Sequence, residues 1–406
     1  MAPSILDNQP LSTSFRSEEE LLLCCARCDI GGEKKDRIRE LAQTAIDWEY
    51  AVILSQKQGI APLVYRNLNN ICSQYIPAAV KGELRRAFQY NLTRNMVLSR
   101  ELAGVLGLFA GSAIDAVPLK GPVMAHALYG DLSLRACGDL DLLVREPDLP
   151  RAEELLLRKG YGPLQEKDPL PHPYHRSFVK RDSYITLDLH YGFTKNQFCF
   201  NFDSAGPWSR LGHTEFEGLQ VNWFRPEDLF MYLCVHLDPH CSPYQTVLKW
   251  LCDLSEFMAG YPNADWDWVF TQSSSLGRQR FVCLLMKLAG SLLDAPLPAQ
   301  ARIKIKEDPS LQSIHDTFVG ELFSQGGKMM HINRLLLLLS YRERLGHKAR
   351  LLLGYAEPDG NDVGFIALPS PLFILYYVIR PFRLLCKYRL SLFQPFVRWM
   401  TRGSSL

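Results

Sequence analysis

The sequence predicts an α+β protein in which a small sheet with its helices is held between helical regions at either end. Three observations carry this reading. Period-two alternation is confined to the middle of the chain, around Val117–Leu119, Gly138–Val144 and Phe178–His190. Helical spacing of apolar residues dominates before about residue 110 and returns from Arg225 onward. Between those limits, glycine turns separate short strands from helices, so strands and helices alternate. The expected divisions are therefore a helical region at 1–110, a sheet-bearing core at 111–222 and a helical region at 223–406 with a basic amphipathic end.

Residues 1–16 are polar and proline-containing and read as a loose end. A helix is expected from Ser17, which can cap while Glu18–Glu20 occupy its first turn, with Leu21–Cys28 supplying an apolar face. Further helices are expected at Lys34–Ala51, Pro62–Leu68 and Ala78–Phe109. Cys24, Cys25 and Cys28 have metal-ligand spacing, but they lie on the apolar face with no second Cys or His pair nearby, so they read as buried thiols. The chain has 11 cysteines in hydrophobic segments and no export signal, which fits reduced thiols and a cytoplasmic protein. In that compartment the glycosylation pattern Asn91-Leu92-Thr93 carries no meaning. A net charge of +2 provides no field to draw the chain to nucleic acid, and 406 residues at 47% hydrophobic content suffice for two or three domains.

The stretch richest in chemistry is Pro118–Val144. Val117-Pro118-Leu119 reads as a short strand ending at Lys120-Gly121, and Pro122 suits the first turn of a helix reaching about Leu128. Such a turn into a helix N-terminus seats anions, because unpaired N–H groups point outward. Gly138-Asp139-Leu140-Asp141 then enters a buried strand, with Asp139 and Asp141 on one face and Leu140 and Leu142 on the other. Two neighbouring carboxylates both stay ionised at neutral pH only when a cation or basic groups sit between them, and divalent magnesium is the usual answer. Lys120 and Arg135 add positive charge beside them, which gives one small region both metal ligands and phosphate ligands.

Leu-Lys-Gly, an arginine, and Gly-Asp-Leu-Asp-Leu-Leu-Val in this order resemble the nucleotidyltransferase superfamily with the DNA polymerase beta fold. The closer likeness is to its uncharacterised bacterial nucleotidyltransferase branch, met in polysaccharide and natural-product gene clusters. It spans residues of about 45–260, taking in Trp48, the Gly59–Leu63 turn and Lys249–Leu254. The resemblance implies a polymerase-beta-like core, two magnesium ions, a nucleoside triphosphate co-substrate such as ATP, and a third carboxylate on a later strand. The candidate is Asp188, which shares a strand face with Tyr184, Thr186 and His190, opposite Ile185, Leu187 and Leu189. Phe178–Lys180 and the turn Arg181–Ser183 make its hairpin partner. Two departures from the superfamily pattern bear on phosphate binding. Gly121 is followed by Pro122 where a second glycine or a serine is usual, and 17 residues separate Gly121 from Asp139.

Downstream, Pro147–Lys159 reads as a helix ended by Gly160. His172, His175 and Arg176 fall in a proline-rich loop, where they are either substrate contacts or solvated side chains. Pro226 suits a helix start; His236 and His240 are spaced like a zinc pair, but Pro239 breaks the helix between them. Lys249 and Asp253 are spaced to pair at i, i+4. Residues 363–406 contain no Asp or Glu but carry Arg380, Arg383, Lys387, Arg389, Arg398 and Arg402 among aromatic residues. With no uncharged run of about 18 residues they do not span a bilayer. They either lie on an anionic membrane surface or a partner, or pack on the protein with their arginines solvated.

The function expected is transfer of a nucleoside monophosphate from a triphosphate to a small-molecule, peptide or protein acceptor. Asp139, Asp141 and Asp188 are the metal ligands and Asp188 the base; Lys120, Gly121, Arg135 and Gly138 meet phosphate oxygens; His190 orients the acceptor or a water. A catalytically silent nucleotide-binding scaffold and a phosphotransferase using the same metals stand as alternatives.

Overall fold

Leu140–Val144 is buried at every position, as a continuous apolar run in mid-sheet must be, and the rest of the sheet is arranged around it. The computed structural model describes residues 15–164, 174–194, 205–241, 247–323, 330–358, 360–366 and 368–388. The strands are β1 (Ala116–Pro118), β2 (Leu140–Val144), β3 (Tyr161–Pro163), β4 (His175–Lys180) and β5 (Ile185–His190), in the order β1-β2-β5-β4-β3. Only β2 and β5 run parallel, and the remaining pairs are antiparallel, so the sheet is mixed. A parallel neighbour needs a crossover, which the helix Leu149–Arg158 and the β3–β4 hairpin partners supply. A separate hairpin, β6 (Gly212–Phe216) and β7 (Leu219–Trp223), turns through Glu217 and Gly218, both at positive φ as a two-residue turn requires.

Before the sheet, five helices (Ser17–Cys25, Gly32–Ala42, Trp48–Lys57, Ala61–Cys72 and Ala78–Gly111) pack around Leu21, Leu22, Ile38, Leu63 and Leu68. The last has 34 residues and at 1.5 Å per residue is about 50 Å long. After the sheet, helices Pro226–Leu237, Leu248–Gly260 and Gln279–Leu293 are buried along almost their whole length. One continuous apolar core joins all of these.

Several local expectations are corrected by the fold. Arg16, not Ser17, is the N-cap of the first helix, and its N–H donates to Glu19 Oε2 at 3.0 Å. The single helix expected over Lys34–Ala51 is two, because Asp47 accepts from Tyr50 N at 3.0 Å and starts a new one. The helix expected from Pro147 begins at Leu149 after a turn of 3-10 helix. Tyr184 belongs to the turn before β5, with φ of 52°, and does not share the strand face. His175 and Arg176 open β4 instead of lying in a loop, while His172 lies outside the described residues. The nine described cysteines are all free, and burial pushes the Cys24 and Cys28 thiols up to about 11 and about 12, as inert thiols rather than metal ligands.

At the C-terminal end, helix Tyr376–Tyr388 sets Arg380 Nη1 2.8 Å from Asp362 Oδ2 and Arg383 on the same carboxylate, so these two arginines are buried in ion pairs instead of solvated. Phe382 on the same helix is 43% exposed. Arg389, Arg398 and Arg402 lie outside the described residues, as does the side chain of Lys387. Among the described residues no helix is long and apolar enough to cross a membrane.

Candidate active site

Parallel pairing of β2 with β5 sets Asp141 directly opposite Asp188. Side chains opposite one another on adjacent strands point to the same face, so the two carboxylates are brought together by register alone. His190, two residues beyond Asp188, follows them onto that face. Single ligand atoms from Asp141, Asp188 and His190 all lie within 4.8 Å of one another.

Asp141 is 2% exposed. Its Oδ1 receives Lys120 Nζ at 3.1 Å and stands 3.1 Å from His190 Nε2. Burial by itself would raise the pKa of this carboxyl, but Lys120 and His190 outweigh it and hold Asp141 well below the usual carboxylate range. Asp141 is therefore ionised, yet its Oδ2 is buried with no hydrogen-bond partner among the described residues, and so is His190 Nδ1. Buried polar atoms are seldom left unsatisfied. An orphaned carboxylate oxygen and an orphaned imidazole nitrogen beside a second carboxylate are the donor set of a divalent cation, so these residues fit a metal.

Asp139 precedes β2 and is half-buried. It is outside the group of three whose ligand atoms meet, and His190 takes the place expected for it. It remains within the same field: burial, then Asp141 and also Asp188 push its carboxyl up, while Lys120 pulls it down. Two neighbouring carboxylates thus differ in protonation tendency, because the cations lie on Asp141 and not on Asp139.

The phosphate ligands expected from sequence divide. Lys120 follows β1 and is half-buried against Asp141, which raises its ammonium above the ordinary value despite the desolvation that lowers it. Gly121 caps helix Pro122–Tyr129 at φ of 77°, and a Cβ there would meet the Asp139 carbonyl at 3.4 Å, so both backbone shape and close approach call for glycine. Gly138 is exposed, and its carbonyl accepts from Arg94 Nη2 at 3.0 Å. Arg135 departs from expectation. It is 3% exposed and donates through Nε and Nη2 to both oxygens of Asp253, at 2.8 and 2.9 Å. Its fork is spent on a buried carboxylate, which presents it to no ligand. Asp253 also accepts from Tyr129 Oη at 2.7 Å, so the Lys249–Asp253 pair expected from helical spacing gives way to a partner from the sheet-bearing part.

The loop of 17 residues before Asp139 is tied down by residues that sequence reading passed over. Asn95 on the long helix donates to the Arg135 carbonyl at 2.8 Å, and Asn91 donates to the Ser133 carbonyl at 2.7 Å. Asn91 belongs to the glycosylation pattern, yet it is buried and holds the loop. The His175 ring stacks on His190 at 5.1 Å between centroids, and Tyr174 lies 4.6 Å from His175, so this edge of the site is aromatic. Arg176 points elsewhere, with both Glu153 oxygens 2.6 and 2.7 Å from its Nη1. The His236 and His240 rings stand 5.0 Å apart and pack on Trp250, with no carboxylate or cysteine completing a metal group around them among the described residues.

A family model described as an uncharacterised nucleotidyltransferase matches residues 44–294, more than half of the chain. Neither the curated proteins nor the solved structures yielded a match.

Proposed function

The chain belongs to that nucleotidyltransferase family, and we propose that it is a divalent-metal-dependent enzyme moving a nucleoside monophosphate from a triphosphate such as ATP to an acceptor hydroxyl. The observation that carries this reading is the register Asp141↔Asp188, with Asp141 Oδ2 left unpartnered beside His190. Asp141, Asp188 and His190 would hold one metal, and Asp139 would join where a second cation offsets the burial and the neighbouring carboxylates that push its carboxyl up. Magnesium is the first expectation; manganese also suits two carboxylates and an imidazole. When bound, such a cation polarises phosphoryl oxygens and lowers the pKa of a hydroxyl near it.

The chain's own groups have separate tasks. The N–H groups opening helix Pro122–Tyr129, framed by Gly121, face the phosphate oxygens, and Lys120 neutralises charge on the Asp141 side. Asp188 accepts the acceptor's proton as the new bond from acceptor oxygen to the α-phosphorus forms. The bond from that phosphorus to the β-bridging oxygen breaks, and pyrophosphate leaves. Stacked His175 and His190 form an aromatic wall that orients the acceptor.

The test is release of pyrophosphate with magnesium or manganese, measured against a panel of sugar, peptide and small-molecule acceptors. Asp141→Asn is expected to abolish turnover with the fold intact, since an amide is a poor ligand for a hard cation. Asp188→Ala is expected to slow the chemical step by about 10²–10⁴. Full turnover in either variant refutes the assignment. Release of a nucleoside diphosphate instead identifies a phosphotransferase, and binding without turnover of any nucleotide identifies the silent scaffold.

A further inference from the structure

Three cations meet on one indole. Trp250 has Lys249 Nζ 4.6 Å, Lys120 Nζ 6.0 Å and Arg135 Cζ 5.7 Å from its ring centroid. Their fates differ. Lys120 is neutralised by Asp141 and Arg135 by Asp253. Lys249 is half-buried at the start of helix Leu248–Gly260 and has no carboxylate within ion-pair distance among the described residues. Burial first, and then Arg135, bring its ammonium down to about 8, and Asp139 is among the charges acting on it. An ammonium held out of water without a counter-ion is costly, and the aromatic contact repays only part of that.

A second atom nearby is also without a partner. His236 Nε2 is buried and makes no hydrogen bond among the described residues, with its ring 4.4 Å from Trp250. Desolvation and then Lys120 keep its pKa well below the ordinary value, so the ring is neutral, and in its Nε2–H tautomer the unpartnered nitrogen is a donor. An unpaired cation and an unpaired imidazole nitrogen on the same tryptophan, next to the candidate metal ligands, describe a place for an anion supplied from outside.

We propose that Lys249 is a phosphate-binding cation of the site, seating the β- and γ-phosphates of the incoming nucleoside triphosphate from the helical side, with His236 donating beside it. This rests on the nucleotidyltransferase reading above and names the part of the substrate that the helical region recognises. Lysine suits the task because it meets phosphate as a point charge and needs no planar fork. Trp250 is the platform that fixes the lysine stem, and the nucleobase lies elsewhere because this ring is already covered.

Calorimetric titration of the full chain with inorganic tripolyphosphate, with ATP and with AMP, each with magnesium, tests this. Lys249→Met is expected to weaken tripolyphosphate and ATP by about tenfold or more, the loss of one charge-assisted contact, and to leave AMP within about twofold. Lys249→Arg is expected to restore most of the loss. The melting temperature of Lys249→Met is expected to hold or rise, since the change removes an unpaired buried charge; a lowered one with unchanged tripolyphosphate affinity assigns the lysine a packing role and overturns the proposal. Unchanged tripolyphosphate affinity in a stable Lys249→Met also overturns it. A wild-type chain that binds AMP and ATP but not tripolyphosphate overturns this inference alone, whereas one that binds no nucleotide at all overturns the transferase reading beneath it.

Discussion

Removing the Asp253 carboxylate is expected to be among the most damaging single changes outside the metal group. In Asp253→Ala, Arg135 keeps its charge at 3% exposure and loses both hydrogen bonds, and Tyr129 Oη loses its acceptor. Breaking a buried pair from one side costs about 3–5 kcal/mol, because the remaining ion stays desolvated. A cooperative unit of roughly 150–250 residues loses about 2–4 °C per kcal/mol, so the melting temperature should fall by about 6–20 °C. Scanning calorimetry on the variant and on the triple change Arg135→Met, Asp253→Leu, Tyr129→Phe measures this. The triple change removes every member of the polar cluster at once and should recover most of the loss, since apolar replacement of a buried pair is often neutral or stabilising. A shift under about 2 °C in Asp253→Ala refutes the reasoning, as the cited cost forbids it. So does an Arg135→Met chain of normal stability whose only defect is a raised KM for the triphosphate. That result would return Arg135 to the phosphate role its sequence position suggests.

Asn95→Leu should cost about 1–3 kcal/mol for the donor lost at the Leu132 carbonyl, read by urea unfolding, while the Arg135 carbonyl keeps Asn91 Nδ2 at 3.3 Å; a loss under about 0.5 kcal/mol would show the loop held by other contacts. Acid should also weaken the fold. Burial and then Lys120 bring His240 down to about 4, and burial keeps His236 below its ordinary value, so below about 6.5 the unfolded chain takes up protons that the folded chain refuses. Stability is therefore expected to decline as pH falls from 6.5 towards 4, and His240→Asn to flatten that decline in denaturant titrations at each pH; an unchanged slope in the variant would clear this histidine.

What the sequence determined by itself is what local geometry can carry. Period-two spacing put Asp188 and His190 on one face of their strand, and the continuous apolar run after Gly138 marked β2 as a central strand. Gly121 and Gly160 marked turns that the structure places at positive φ. Motif order made the family legible as well. Helix boundaries were less so where a cap such as Asp47 interrupts a run of good helix formers. Tertiary structure decided the partners. That Asp188 faces Asp141, and that His190 joins them while Asp139 stands aside, follows from the register between β2 and β5, strands joined only through a long crossover. Arg135 reads as a phosphate ligand until a carboxylate 118 residues away takes its fork, and the same event leaves Lys249 without the i, i+4 partner its helix offered. Asn91 reads as an empty sequon until the long helix lays it against a carbonyl of the loop. Local spacing tells which way a side chain points, but the charge it meets there comes from another part of the chain, and a buried ion goes to whichever counter-charge is nearest once water is gone.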